Sequence, residues 1–411
     1  MVRVGPEELR RACGWDGRVG NAMGLGTESA GTFPAGNTVH YATLDGLRGV
    51  AAVAVVAFHA PAAVVAGWRP ESAFLAVDFF FVLSGFVIAH AYDERLGRGL
   101  TGLEFLRRRV IRLFPLYLVA SALAAMAAAA AVFVLHDASQ WTAGKLLICV
   151  TLAAVMLPSP VTPLLFPLND ASWSLFFEFV ANGIYATRVW QRGPLVTVVP
   201  ALAVIGLVVL VTLCGTVDRG AQWDDPWWYA LFGGGVRVMY SFTVGLLIYR
   251  HRAALPAPRI PVIALMIILA ALLWVDPPGG WRPVFDLVFV LVLSPAIVAV
   301  GYRSAPRTRP LARFCGFLGS ISYPIYVLHR PLTNIVAGSG HRLVHNHFVP
   351  QWHPIYGLAA LALLVAVSAL ADKADMCVRR VLSALRRPAP MFSHKQHPAT
   401  NARSASSEPT S

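Results

Sequence analysis

The sequence predicts an all-α polytopic membrane protein of about ten transmembrane helices plus one short re-entrant segment. Three observations carry that prediction. The 411 residues are 56% hydrophobic and only 13% charged, against roughly 25% charged in an ordinary soluble domain. Apolar stretches close to or beyond the ~20 residues that cross a bilayer recur from residue 47 to residue 372. The formal net charge of +13 is gathered in arginine-rich connections between alternate stretches, as the positive-inside rule expects. The basic balance therefore marks topology and not a nucleic-acid partner.

In chain order, residues 1–40 mix charge with glycine and lack a continuous apolar core, so they read as a flexible cytoplasmic extension and not as a cleaved signal peptide. Spans follow at 47–67, 73–92, 112–135, 171–188, 194–214, 230–249, 260–276, 284–302, 316–334 and 354–372. The stretch Leu146 to Leu157 is half as long, which suggests a re-entrant or interfacial segment. Leaving it on the outer side places every basic connection inside: Arg95–Arg112, Arg188 with Arg192, Arg250–Arg259, Arg303–Arg313 and the tail from Lys373. Counting it as a span breaks that alternation. Both termini are then cytoplasmic, in a multi-pass protein of a bacterial inner membrane. Trp223, Trp227, Trp228 and Trp281 fall in the proposed outer connections, where amphipathic rings favour the headgroup level. Residues 41–375 form the membrane domain, and 376–411, polar and rich in Ser and Pro, read as a disordered tail. Cysteines at 13, 149, 214, 315 and 377 are scattered and imply neither a disulfide framework nor a metal site.

The polar residues inside the spans narrow the reading. LDGLRGVAAVAVVAFHA, Leu44 to Ala60, holds Arg48 and His59 eleven residues apart. At ~100° and ~1.5 Å per residue that is whole turns plus about 20° and roughly 16 Å of rise. The two share a face, with the cation at the membrane surface and the imidazole near mid-depth, where ionisable groups mark function by default. Asp78 in span two needs a partner or a proton. Its structural alternative is a packing pair, in which Asp78 bonds a neighbouring span and Gly85, on the same face, permits close approach. In FLRRRVIRLFPLY, Arg107, Arg108, Arg109 and Arg112 serve either topology alone or a phosphate-bearing substrate that their forked donors fit. Ser174, Glu178, Asn182 and Tyr185 lie on one stripe of the next span, with Glu178 read at the level of Asp78 and open to pairing with an arginine. Ser322, Tyr326 and His329 share a face near the C-terminus, where Pro324 is expected to loosen the helix and free a carbonyl. Together these groups predict a polar intramembrane cavity with an anion-binding entrance on the inside.

The segments LDGLRGVAAVAVVAFHA, VDFFFVLSGFVIAHAY, FLRRRVIRLFPLY, LNDASWSLFFEFVANGIYA and LGSISYPIYVLHRPL, in this order and spacing, resemble the signature segments of the integral-membrane acyltransferase 3 family, which O-acylates sugars and some secondary metabolites. The resemblance covers about residues 40–375. It implies transfer of an acyl group, commonly acetyl, from cytoplasmic acyl-CoA as co-substrate to a hydroxyl of the acceptor, with no bound cofactor and no metal. Arg48 and His59 match its Arg-x10-His pair, Asp78 with Ser84 its second-span motif, and Arg109 and Arg112 its basic segment. Trp173, Ser174 and Glu178 match its Trp-Ser-Leu motif, and Tyr326 and His329 its late motif. The catalytic expectation is therefore His59, Asp78, Glu178 and His329. The substrate-binding expectation is Arg48, Arg109, Arg112, Ser84, Trp173, Ser174 and Tyr326.

No SGNH-type hydrolase module follows, which implies acylation without one. The Trp-Ser-Leu-Phe-Phe-Glu form favours a cell-surface or exported carbohydrate as acceptor; a macrolide or other glycosylated secondary metabolite is the second reading. The competing class is a transporter of a sugar, lipid-linked intermediate or antibiotic, which also needs intramembrane charges and broken helices.

Overall fold

The computed structural model describes residues 40–60, 69–134, 141–191, 194–218, 227–343 and 353–384. Among them every regular element is helical. We number the helices α1 (Ala42–His59), α2 (Ala76–Gly97, entered through a 3-10 turn), α3 (Gly102–Phe133), α4 (Ala143–Ala154), α5 (Ser172–Ala186) and α6 (Leu195–Cys214). They continue as α7 (Trp227–Arg250), α8 (Val262–Trp274), α9 (Arg282–Val288), α10 (Ser294–Gly301), α11 (Arg309–Leu343) and α12 (His353–Ala384). A π turn, Phe289–Leu293, joins α9 and α10 into one rod.

Each predicted span coincides with one rod, and the half-length stretch with α4. Among the described residues seven rods are long and apolar enough to cross a membrane. The 12 residues of α4 rise only about 18 Å, well short of a ~30 Å hydrocarbon core. α6 and α8 turn apolar side chains outward: Leu202, Ile205 and Leu213 on α6 and Ile263 and Ile267 on α8 are exposed, which suits lipid and not water. Helix ends follow local chemistry. Thr101 and Glu104 form a reciprocal capping box at the start of α3, satisfying two otherwise bare N–H groups.

Two helix pairs form the centre, α1 against α11 and α2 against α7. Small residues set both approaches. A Cβ built on Gly85 would lie 2.1 Å from the carbonyl oxygen of Phe242, and one on Gly245 would lie 2.0 Å from that of Val82. The α2–α7 backbones thus touch at a distance only glycine permits.

The connections sort into two ends. At one end Thr43 donates to the Ser304 carbonyl, Tyr302 to that of Arg252, Arg250 to that of Trp190, and Arg188 to those of Leu96 and Leu100. These are the connections predicted to be basic and internal. At the other end Ser72 donates to the Val275 carbonyl, and Arg282 to Ser72, joining connections predicted to be external. These connections therefore group as the loop charges predict; residues 219–226 and 344–352, which hold most of the other two predicted outer connections, lie outside the described residues.

Two boundaries differ from expectation. The first rod starts at Ala42, before the expected residue 47, and ends at His59, because Pro61 disfavours helical geometry at the residue before it and Ala60 is extended (φ −66°, ψ 142°); residues 61–67 of the expected span lie outside the described residues. His59 accordingly ends its helix instead of lying at mid-span, and Arg48 sits about 9 Å inside the other end. α12 runs past residue 375 to Ala384. Residues 1–39 and 385–411, which hold nearly all of the predicted extension and most of the tail, and Trp223 lie outside the described residues.

Candidate functional site

The polar residues within the bundle form two layers, joined along α1. The first lies toward the basic end. On α1, Arg48 donates from Nε to Ser322 Oγ at 2.8 Å and from Nη2 to the Gly319 carbonyl at 2.8 Å, both on α11. The same nitrogen lies 3.0 Å from Asp45 Oδ1. Asp45 also meets His40 Nε2 at 2.8 Å, and that hydrogen bond raises the imidazole above its ordinary pKa. Across the layer, Glu178 on α5 accepts from Ser84 Oγ at 2.7 Å and pairs with Arg109 of α3. Arg109 is buried and its Nε has no partner. Arg112, one turn on, lies within Coulombic range of both Arg48 and Arg109 and has no hydrogen-bond or ion-pair partner among the described residues. Three guanidiniums gather in this layer, with Glu178 and Asp45 as their nearest carboxylates and Asp372 and Asp375 of α12 within Coulombic range of Arg48 and Arg112.

The second layer lies roughly 16 Å along α1. Here the rings of His59 and His329, from α1 and α11, are 5.1 Å apart between centroids. His59 Nδ1 is 2.9 Å from the Val55 carbonyl, and His329 Nδ1 is 2.7 Å from the Tyr326 carbonyl. A carbonyl can only accept, so each Nδ1 carries the proton and each Nε2 keeps its lone pair in the neutral ring. His329 Nε2 is buried with no partner. Two neutral imidazoles in contact, each keeping an Nε2 lone pair, are chemically able to accept a proton.

Around them, Tyr326 OH and Ser174 Oγ are 2.6 Å apart. Asp170, just before α5, pairs with Arg330 at 2.5 Å and lies within Coulombic range of both imidazoles. Burial pushes the Asp170 carboxyl up, but the hydrogen bond and charge of Arg330 outweigh it and hold the group below the ordinary range. Asn169 Nδ2 donates to the Val327 carbonyl at 3.0 Å. Pro331 leaves that carbonyl without its usual i+4 donor, so a proline of α11, but not the expected Pro324, supplies the free acceptor that docks the loop before α5.

The structure thus brings His59 and His329 together, with Ser174 and Tyr326 beside them, but does not bring Asp78 or Glu178 to either histidine. Glu178 belongs to the basic layer, held by Ser84 and Arg109, and not to the level of Asp78. Asp78 faces α7, where Arg237 Nη2 and Nε lie 2.6–3.2 Å from its oxygens. With Gly85 at the same interface, the structural alternative for this pair is the one realised. Trp173 lies under Arg237, whose guanidinium carbon is 5.1 Å from the ring centroid.

Sequence reasoning missed Arg237, Arg330 and Asp170. Arg237 sits alone in WWYALFGGGVRVMYSF, an ionisable residue within a span, and the logic applied to Asp78 would have found it. Asp170 stood inside a quoted segment, but nothing in its spacing singles it out.

The described residues thus make a helical membrane protein with an arginine-rich layer about 16 Å along α1 from a pair of neutral imidazoles. The Acyl_transf_3 family model, an acyltransferase domain, matches residues 41–371, and the chain belongs to that family; it is a membrane acyltransferase. It is similar to "Protein 2 in picA locus" of Rhizobium radiobacter, 39% identical over 183 residues, 41% of this chain and 92% of that protein. It is also similar to "Acyltransferase MdmB" of Streptomyces mycarofaciens, 28% identical over 359 residues, 79% of this chain and 87% of that protein. No solved structure gives a significant match.

Proposed function

We propose that the enzyme moves an acyl group, commonly acetyl, from cytoplasmic acyl-CoA to a hydroxyl of a cell-surface or exported carbohydrate. The observation that carries this reading is the pair of imidazoles, each fixed as the Nδ1–H tautomer, placed about 16 Å along one helix from the arginine cluster Arg48, Arg109 and Arg112. Arg48 and Arg112 take the CoA phosphates at the basic, cytoplasmic end, with Arg109 behind them. The pantetheine arm lies along α1, which brings the thioester to the imidazoles.

His59 Nε2 accepts the proton of the acceptor hydroxyl as that oxygen bonds to the thioester carbonyl carbon. When the tetrahedral centre collapses, the carbon–sulfur bond breaks and the imidazolium returns its proton to the leaving thiolate. Asp170 supplies negative charge toward the imidazolium, a task Asp78 and Glu178 are placed too far away to perform. Those two hold the helices that carry the site. His329, whose Nε2 can only accept, takes a hydrogen bond from a neighbouring hydroxyl of the sugar and so orients the ring. Both termini and the basic end then lie in the cytoplasm of a bacterial cell, and the histidines open toward the outer side of the inner membrane.

The test is acyl transfer by the purified protein in liposomes, with labelled acetyl-CoA inside and carbohydrate outside. His59→Ala should lower the rate by roughly 10²–10⁴, the range for loss of a general base, while acetyl-CoA binding stays intact. Wild-type rates in this variant would refute the assignment.

A further inference from the structure

Away from the basic end, and sharing Asp170 with the histidine layer, lies a cavity of about 50 Å³ lined by Asp170, Trp173, Asp218 and Arg237 together with Phe166 and Val217. That is room for roughly four ordered waters, a notch for the edge of a ring and not a slot for a lipid tail. Its polar groups are poised for hydroxyls. Arg237 is 2% exposed. Its Nε and Nη2 are spent on Asp78 and the Phe74 carbonyl, and Nη1 makes a single contact, 3.4 Å to the Val217 carbonyl. One of its five N–H donors is therefore left in the wall of the cavity.

The carboxylate of Asp218 accepts no hydrogen bond among the described residues, although Arg237, Asp286, Asp78 and Arg282 surround it electrostatically. Asp78 already neutralises Arg237, Arg330 neutralises Asp170, and Asp276 stands 2.7 Å from Arg282. Asp286 spends one oxygen on Thr216 Oγ1 and the Val217 N–H. Among the described residues, the cavity consequently keeps the negative charge of Asp218 without a cation of its own. Trp173, partly exposed, adds an apolar ring face at its side. Asp170 borders the cavity and also stands within Coulombic range of both imidazoles, so a ligand edge seated here projects its next hydroxyl toward them.

We propose that this cavity is the acceptor subsite and that it selects a neutral or amino-bearing sugar ring over an acidic one. This rests on the carbohydrate reading above and adds the charge class of the acceptor. Sugar hydroxyls donate to Asp218 and Asp170 and accept from Arg237, replacing the waters the notch holds, while the ring's C–H face packs on Trp173. A carboxylate on the ring would meet Asp218, and Arg237, the cation among the described lining residues, is already paired with Asp78; like-charge placement is costly.

The experiment is saturation-transfer NMR on the full-length protein in detergent, without acyl donor, using methyl glucoside, methyl glucosaminide and methyl glucuronide as probes. The wild type should bind the glucosaminide at least as well as the glucoside, and the glucuronide on the order of tenfold more weakly. Asp218→Asn, which removes a charge but no hydrogen bond, should bring the three within about a factor of two of each other. Trp173→Phe is the second variant and should weaken all three without changing their order. Equal wild-type affinities, absence of binding by all three, or an unchanged order in Asp218→Asn would each overturn the proposal. Because no acyl donor is present, this outcome is independent of the His59 chemistry. Full transfer by His59→Ala with the sugar order intact would sink the mechanism and leave the subsite standing.

Discussion

The contact between Asp78 and Arg237 gives a sharp quantitative expectation. Asp78 is fully buried and the Arg237 side chain is 3% exposed, so removing one partner strands a charge in a helix interface. Such losses cost about 3–5 kcal/mol, whereas replacing both members by apolar groups is often close to neutral. Asp78→Val and Arg237→Met should each destabilise by that amount, roughly two to three and a half decades in the unfolding equilibrium at ~1.4 kcal/mol per decade. The double variant still leaves the Phe74 and Val217 carbonyls without their Arg237 donors, worth about 1–3 kcal/mol for an unmet buried group. It should therefore be more stable than either single variant, with a coupling of about 3 kcal/mol or more. Reversible unfolding in mixed micelles, followed by tryptophan fluorescence, measures all four corners of the cycle. Additive losses would refute the claim that Asp78 serves this interface through its ion pair.

Other consequences follow from neighbouring geometry. Gly85→Ala should lower thermal stability by about 1–3 kcal/mol, the usual cost of overpacking, because the added carbon meets the Phe242 carbonyl; a differential melting scan showing no loss would mean the helices shift freely. Arg112→Ala should raise the KM for acetyl-CoA without lowering the melting temperature, since Arg112 has no partner among the described residues, whereas Arg109→Ala should lower the melting temperature by leaving Glu178 with Ser84 alone. Asp218 yields a pH signature: burial raises its carboxyl to about 6 against the opposing pull of Arg237. The folded state then holds this proton more tightly than the unfolded chain, so the contribution of Asp218 to stability falls as pH rises from about 4 to about 6. Asp218→Asn should flatten that segment of the melting temperature against pH and raise stability at pH 7, and an unchanged slope would contradict the assignment.

The rods were legible because hydropathy and loop charge act locally: a stretch is apolar or not, and arginines flank it or do not. Partners were less legible, since they depend on which helices meet. The spacing of Arg48 and His59 was read correctly as a shared face, and the meeting of His59 with His329 followed from matching depth. Depth misled for Glu178. Its distance from the helix start looked equivalent to that of Asp78, but Glu178 bonds to Ser84, six residues further along α2 than Asp78 and hence about 9 Å deeper. The true length of α1 was written in Pro61, a local signal overruled by the continuing apolar run. Neither Val327 as the carbonyl freed for Asn169 nor Asp218 as the unpaired carboxylate carries any periodic mark. Both become visible only when α11, α7 and the loops before α5 and α7 are set side by side.

The separation of the two layers bears on why both are rigidly built. A donor that enters among arginines and reacts about 16 Å away must be positioned by a ruler that does not flex, and α1 is clamped against α11 at both ends of that distance. At the basic layer Arg48 bonds to Ser322 and to the Gly319 backbone; at the other layer the His59 and His329 rings touch. Between them a Cβ on Gly49 would come within 2.9 Å of the Leu318 backbone, so the two helices cannot slide without a clash. α11 is fixed in turn by Asn169 at the carbonyl that Pro331 frees, and by Arg330 on Asp170. Both partners come from the three-residue run Asn169-Asp170-Ala171 that leads into α5. The same few residues therefore set the register of α11, supply the charge beside the imidazoles and border the cavity assigned to the acceptor, which couples acceptor geometry to the helix pair that measures the donor.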